Sequence, residues 1–526
     1  MATPAQIDEL FRQNRAGDAY LSLALNAWSQ GRWRETIERI HQAQQQGVDG
    51  AEVWHLLGCA YGEAGDEREA LNCFRAALQR APGLINSLWL AAQIDHKQGN
   101  AVSAWQSIQE ILRREPANIP ALLLGARCLL AMDEPANAET LLKTLSNLQP
   151  DNAEALNLSG NAAFAQERHA EAKSFYERAA QIDANMASAW RNCGHVNYWD
   201  KNFSEAARCY ARAADLEPGC AEAQLLALHA SDQIADWSGR DAQMLRLSTA
   251  LQSDETVQTP FALITKLDDP ILQLRATRAC AQKMLPVVPQ SPTLRRAPTR
   301  SGRLTLGYLS ADIYSHATAV LIAELLALHD REQFAVHLYH YGADDGSTLR
   351  QRVLQSADKA LDVSHFSTSE TAEQIARDGV DILIDLKGWT INQRLGVLAQ
   401  RPAPLQMHYL GYPGTLGSEA VDYLVSDCFI TPPASDANFH EALLVLPGCY
   451  QVNDRQREQA ATPTRGECDL PEEAFVFADF NQPYKITPPV FEAWLRILRA
   501  CPGSVLWLLD HNTEATSHLR ACAAHC

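Results

Sequence analysis

The residues best suited to chemistry lie in four short stretches, each placed at or just beyond a short aliphatic run. The first is Ser310-Ala-Asp-Ile-Tyr-Ser-His316-Ala-Thr, which follows Leu304–Leu309. A histidine titrates near neutral pH, so a few residues past a buried strand it is placed for proton exchange. Spacing alone leaves two readings of His316 open: an active-site group, or a loop histidine satisfied by a neighbour. The second stretch is Asp385-Leu-Lys387-Gly-Trp-Thr390. The third is Leu410-Gly-Tyr-Pro-Gly414-Thr415-Leu-Gly417, where Gly411 and Gly414 let backbone approach a ligand closely and Thr415 adds a hydroxyl. The fourth is Asn481-Gln482-Pro-Tyr-Lys485-Ile-Thr487-Pro-Pro, leading into a helical pattern with Thr487 at the N-cap and Pro488 at the first helical position. A lysine beside a helix N-terminus suits an anion, because ammonium and helix dipole both favour phosphate. A solvated loop lysine is the other reading of Lys485. No GxxxxGKS, HExxH or GxSxG string occurs, and no strand runs into a DxD metal motif; Asp344-Asp345-Gly346 reads as a turn.

The elements that must carry these stretches are legible from Arg303 onward. Short aliphatic runs at 304–309, 334–341, 382–386, 405–410, 423–425, 442–446, 475–480 and 505–509 alternate with helical patterns at 320–329, 371–377 and 490–500. Strands buried on both faces with helices between them predict a parallel α/β sheet, whose ligands bind beyond the carboxyl ends of the strands. Upstream lies a different grammar, a 34-residue rhythm from Gly17 to Cys220 without insertion. Counting from residue 51 as position 1, position 8 is small (Ala24, Gly58, Ala92, Ala126, Gly160, Gly194). Position 20 is Thr36 and then Ala70, Ala104, Ala138, Ala172 and Ala206, and position 24 is bulky (Ile40, Phe74, Ile108, Leu142, Tyr176, Tyr210). This is the tetratricopeptide (TPR) pattern, six pairs of antiparallel helices stacked into a superhelical solenoid with a concave groove for a protein partner. Residues 221–285 read as a degenerate capping repeat followed by a helical connector, with helix expected through 255–285. Residues 286–303, rich in proline and arginine, read as a linker.

Bulk composition narrows the function. With 526 residues the chain exceeds one core, and a formal charge of -18 with pI near 5.3 opposes nucleic-acid binding. The thirteen cysteines form no CxxC pair, and those within the repeats read as core residues of a reducing compartment. The first twenty residues carry Asp8, Glu9, Arg12 and Arg15 without an apolar stretch, and no run reaches the ~18 residues that span a bilayer. The expectation is a cytoplasmic protein that binds neither membrane nor nucleic acid.

Taken together, Leu306-Gly-Tyr-Leu-Ser-Ala-Asp-Ile-Tyr-Ser-His316, Asp344-Asp-Gly, Arg401-Pro-Ala-Pro-Leu-Gln, Leu410-Gly-Tyr-Pro-Gly-Thr415, Phe480-Asn-Gln-Pro-Tyr-Lys485 and Trp507-Leu-Leu resemble glycosyltransferase family 41. These are the protein O-linked N-acetylglucosamine transferases and the Spindly-type O-fucosyltransferases. The resemblance implies a TPR superhelix fused to two Rossmann-like lobes of GT-B type, here 304–465 and 466–526. It implies inverting transfer of N-acetylglucosamine from UDP-GlcNAc to Ser or Thr of proteins held in the TPR groove, with GDP-fucose as the alternative donor and no metal. It matches His316 to a catalytic histidine, Gln482 and Lys485 to the diphosphate contacts, and Gly411, Gly414 and Thr415 to the cleft loop. Position 6 of the repeats, a ladder of asparagines in animal members, here reads Ser22, Leu56, Leu90, Leu124, Leu158 and Asn192. Members continue beyond Trp507-Leu-Leu509 through further β-α units that contact diphosphate and ribose. The resemblance therefore implies a truncated second lobe, weak transfer by these 526 residues, and, as the competing class, a non-catalytic TPR scaffold with a vestigial transferase domain.

Overall fold

The computed structural model describes residues 2–253, 256–285 and 302–525. It divides into two compact units, Met1–Asp200 and Lys201–Cys526. In the first unit, helix α1 (Pro4–Arg12) starts at a capping box in which Thr3 and Gln6 satisfy each other's backbone amides. The repeats follow as α2 and α3 (Ala16–Ser29, Trp33–Gln45), α4 and α5 (Ala51–Glu63, Glu67–Arg80), and α6 and α7 (Ile85–Lys97, Ala101–Arg114). Next come α8 and α9 (Ile119–Ala131, Pro135–Leu148), α10 and α11 (Ala153–Ala165, His169–Ile182), and α12 (Ala187–Trp199). Asp66, Asn118 and Asn152 cap α5, α8 and α10 by accepting the amide three residues on.

The small and bulky positions do what their spacing predicts. Every residue at positions 20 and 24 is buried, from Thr36 and Ile40 to Ala206 and Tyr210. A Cβ added at Gly58 would stand 2.6 Å from the Phe74 ring, and one at Gly160 would run into the Tyr176 ring. The bulky residue of the second helix thus lies on the glycine of the first, so the two helices approach more closely than any side chain there would allow.

The second unit opens with α13 (Phe203–Leu216), α14 (Ala221–Gln233), α15 (Arg240–Ser253), α16 (Pro260–Ile264) and α17 (Pro270–Met284). The continuous helix expected across 255–285 is broken at 265–269, where Asp269 caps α17 and Pro270 takes its first position. Helix α14 occupies the place of a capping repeat but is buried along its whole length, charged residues included. The linker expected at 286–303 falls almost wholly outside the described residues.

The α/β part runs β1 (Leu304–Ser310), α18 (Ala317–Leu328), β2 (Phe334–His340), α19 (Thr348–Gln355), β3 (Lys359–Asp362) and α20 (Thr368–Arg377). It continues through β4 (Ile382–Asp385), α21 (Leu395–Ala399), β5 (Leu405–His408), β6 (Tyr423–Asp427) and β7 (Ala442–Leu446). All pairings are parallel, in the order β3-β2-β1-β4-β5-β6-β7. Leu306 of β1 stands opposite Val336 of β2 and Ile382 of β4. Successive residues feed opposite cores: Tyr308, Leu338 and Ile384 pack on one face, while Leu309, Tyr339 and Leu383 pack on the other. That alternation of two apolar faces is why the strands read as unbroken aliphatic runs. A second, two-stranded parallel sheet pairs β8 (Val476–Asp479) with β9 (Val505–Leu508), connected by α22 (Pro488–Ala500) and followed by α23 (Thr513–His525). Among the described residues no helix is long and apolar enough to cross a membrane.

Candidate functional site

The order of the first sheet reverses between β1 and β4, and a crevice at such a reversal is where open α/β sheets take ligands. Two predicted stretches meet there. Beyond β1, Asp312 is buried, and beyond β4, Lys387 reaches it, its Nζ lying 2.8 Å from both carboxylate oxygens. The Thr318 hydroxyl donates to the same carboxylate at 3.4 Å. His316 is the N-cap of α18: its Nδ1 accepts the Thr318 amide at 3.2 Å and stands 3.6 Å from Asp312 Oδ2. Its side chain is 38% exposed, so the other edge of the ring is within reach of a substrate.

The loop that carries His316 is fastened from two further sides. Asp345 accepts the Ser315 amide at 2.7 Å and the Ser347 amide at 3.1 Å. The hydrogen bond from the Ser315 backbone, before those from Ser347, holds the Asp345 carboxyl well below the usual carboxylate range. The buried Arg350 donates to the Ile313 carbonyl at 2.5 Å. Sequence alone does not single out Asp312, Lys387, Asp345 or Arg350 as site residues. The signal that points to the first two is a polar residue set immediately after an aliphatic run.

The glycine-rich loop after β5 is an internal brace. A Cβ at Gly411 would collide with the Leu386 carbonyl, so this glycine lets the loop lie directly on the backbone that leads to Lys387. Gly414 lies against the Tyr412 phenol, with 2.7 Å between an added Cβ and the hydroxyl oxygen. Thr415 is buried and donates to Glu441 Oε2 at 2.6 Å, while Glu441 Oε1 accepts the Leu416 amide at 2.7 Å. On the strand side, Gly388 takes φ +55°, its amide donates to the fully buried Asp385 at 2.6 Å, and a Cβ there would meet Tyr412 and His408.

Gln482 and Lys485 lie on the other sheet, exposed at the end of β8. Residues 483–485 form one 3-10 turn closed by the Lys485 amide on the Gln482 carbonyl at 3.0 Å, and Thr487 is the N-cap of α22. Pro488 and Pro489 occupy the first two helical positions, so the amides that usually face an anion there are missing and the dipole acts mainly with the Lys485 ammonium.

Known proteins resemble the chain in these same parts. The glycosyltransferase family 41 profile matches residues 272–461 and 454–526. A tetratricopeptide repeat profile matches 51–84, and the C-terminal ARM domain of tetratricopeptide repeat protein 21 matches 69–223. The chain is 33% identical over 317 residues to the probable UDP-N-acetylglucosamine–peptide N-acetylglucosaminyltransferase SEC of Arabidopsis thaliana, covering 56% of this chain and 32% of that protein. It is 25% identical over 332 residues to the UDP-N-acetylglucosamine–peptide N-acetylglucosaminyltransferase of Caenorhabditis elegans, covering 41% and 29% respectively. The chain spans about a third or less of the length of the curated relatives it matches. Among solved structures, a Thermobaculum terrenum O-GlcNAc transferase superposes with a TM-score of 0.51 at 26% identity, covering 78% of this chain and 72% of that one. Repeats, parallel sheet and ordered strand-end motifs agree with these matches, and the chain belongs to glycosyltransferase family 41, as a TPR-containing homologue of the O-GlcNAc transferases.

Proposed function

We propose that this protein transfers N-acetylglucosamine from UDP-GlcNAc to serine and threonine hydroxyls of proteins held by its TPR repeats. The acceptor oxygen attacks the anomeric carbon, the bond from that carbon to the diphosphate oxygen breaks, and the hydroxyl proton passes to the departing diphosphate or to water. The observation that carries the reading is the strand-order reversal at β1 and β4, with His316 and the Asp312–Lys387 pair at its mouth, in a chain of this family.

The cap fixes what His316 offers. Because Nδ1 accepts the Thr318 amide, the neutral ring carries its proton on Nε2 and presents an N–H outward. In that tautomer His316 is a hydrogen-bond donor that orients a sugar or phosphate oxygen. Positive charge for the leaving diphosphate comes from elsewhere: Lys485 beside α22 is our choice, with the neutral Gln482 amide as a hydrogen-bond donor, and such a charge-assisted contact to Lys485 is worth ~1.5–3 kcal/mol. Gly411, Gly414 and Thr415 serve the donor through the backbone they brace.

The test is transfer of labelled N-acetylglucosamine from UDP-GlcNAc onto peptides or lysate, with GDP-fucose in parallel. Transfer that His316→Ala and Lys485→Ala both abolish supports the reading. Transfer from GDP-fucose alone would change the donor, and UDP binding without transfer from either would leave a scaffold.

A further inference from the structure

Between Gln482 and Lys485 sits Tyr484, whose ring the Lys485 Nζ approaches, 5.8 Å from its centre. It is buried, while the residues on both sides of the Pro483-Tyr484 pair are exposed. Its ring lies 5.1 Å from the His229 ring of α14, and Lys266 Nζ stands 5.6 Å from its centre. Lys266, fully buried, is itself held by Asp232 of α14 at 2.6 Å, and Arg240 reaches the other oxygen of Asp232 at 3.2 Å. Ile486, two residues on, packs with Ala235, Phe491, Leu495, Ala515 and Leu519. Further along, Asn512 donates to the Gln233 carbonyl at 2.9 Å and His518 Nδ1 meets the Ile234 carbonyl at 2.7 Å. The small second sheet is thus seated on the end of α14, and Tyr484 is the point at which that seat enters the turn bearing the two candidate diphosphate contacts.

We infer that Tyr484 is a positioning residue for the nucleotide diphosphate: clamped between His229 and Lys266, it sets the Pro483–Lys485 turn so that Gln482 and Lys485 face outward together. This rests on the donor reading of Lys485 above. The physical ground is a lever arm of one residue. A turn held by two backbone hydrogen bonds can rock as a body, and the buried ring between the two exposed side chains ties it to a helix. Lys266 contributes twice, by a cation–π contact to the ring and by its ion pair to α14.

The experiment is calorimetric titration of the 526-residue chain with UDP. Tyr484→Ala is expected to weaken UDP binding about ten-fold and Tyr484→Phe, which keeps the ring, by less than about two-fold, in line with the sensitivity of bound geometry to small displacements. Hydrogen exchange of the Lys485 and Ile486 amides should quicken in Tyr484→Ala while that of β1 and β4 stays unchanged. Should Tyr484→Ala fail to fold, Lys266→Met, read by the same two measurements, decides. Wild-type affinity in Tyr484→Ala beside a loss of about ten-fold in Lys485→Ala would overturn the inference and leave the donor reading standing. Unchanged affinity in Lys485→Ala would overturn the donor reading, and this inference with it.

Discussion

Asp312 and Lys387 show what a single buried ion pair at a strand-order reversal asks of its residues. Both side chains are more than nine-tenths buried, so each depends on the other for its charge. Lys387→Met should destabilise the protein by ~3–5 kcal/mol, since it strands a buried carboxylate, whereas Asp312→Asn combined with Lys387→Met should cost less than the single change. Urea denaturation of the single and the double variant checks the order; a double variant weaker than the single one would contradict it. His229 gives a pH dependence. Burial, with Lys266 nearby, lowers its pKa to about 3, so the folded protein keeps it neutral while the unfolded chain protonates it below its ordinary value of 6.5. Its contribution is therefore fully present above about pH 6.5 and is lost as pH falls toward 3, at up to ~1.4 kcal/mol per pH unit. Denaturation midpoints of wild type and His229→Gln between about pH 7 and about pH 4 should converge on the acid side; parallel curves would exclude His229 as the source.

At the scale of elements, the glycines under Phe74 and Tyr176 are the most open to test. Gly58→Leu or Gly160→Leu should cost ~1–3 kcal/mol through overpacking, read as a lower midpoint of the helical circular-dichroism signal. Gly411→Ala should be worse than either, because what its Cβ meets is the Leu386 carbonyl and not the edge of a ring that can turn. The elements legible in sequence are those with one dominant signal. The repeats announce themselves by small residues answering bulky ones, and β1, β2 and β4 by runs that feed two cores at once. Strand β3 escapes such a reading because Lys359 and Ala360 leave it only half covered at the sheet edge, and α19 because Thr-Leu-Arg-Gln-Arg-Val-Leu-Gln carries too few apolar residues to show a period. The site divides in the same way. His316 can be found from its place after a strand, but its partnership with Asp312 and Lys387 depends on β1 and β4 being neighbours, and no local spacing encodes strand order. Gly411 and Thr415 stand out in sequence because glycine and hydroxyl-rich turns suit a ligand, but the Leu386 carbonyl and Glu441 that they meet lie far along the chain and no local spacing encodes them.

For the whole molecule, the strongest expectation concerns where function divides. Lys485→Ala should weaken UDP affinity roughly ten- to a hundred-fold without changing helix content, which separates donor recognition from folding. Capture of acceptor proteins by the repeats should survive the same substitution, as pull-down with the variant would show, because the repeats draw their stability from neighbour-to-neighbour packing.

The burial of α14 along every residue bears on how this chain can be cut. A fragment designed from the repeat frame would end at residue 220 and hand α14 to the downstream piece, while one designed from the transferase sheet would begin near Arg303 and discard it. The second choice removes His229, Gln233, Ile234, Ala235 and Trp237, the surface on which Tyr484, Phe491, Asn512 and His518 rest. A fragment meant to keep the two-stranded sheet seated must therefore start before Phe203, so that α13 and α14 travel with it, and a protease should find the stretch from 221 to 233 among the last it can enter.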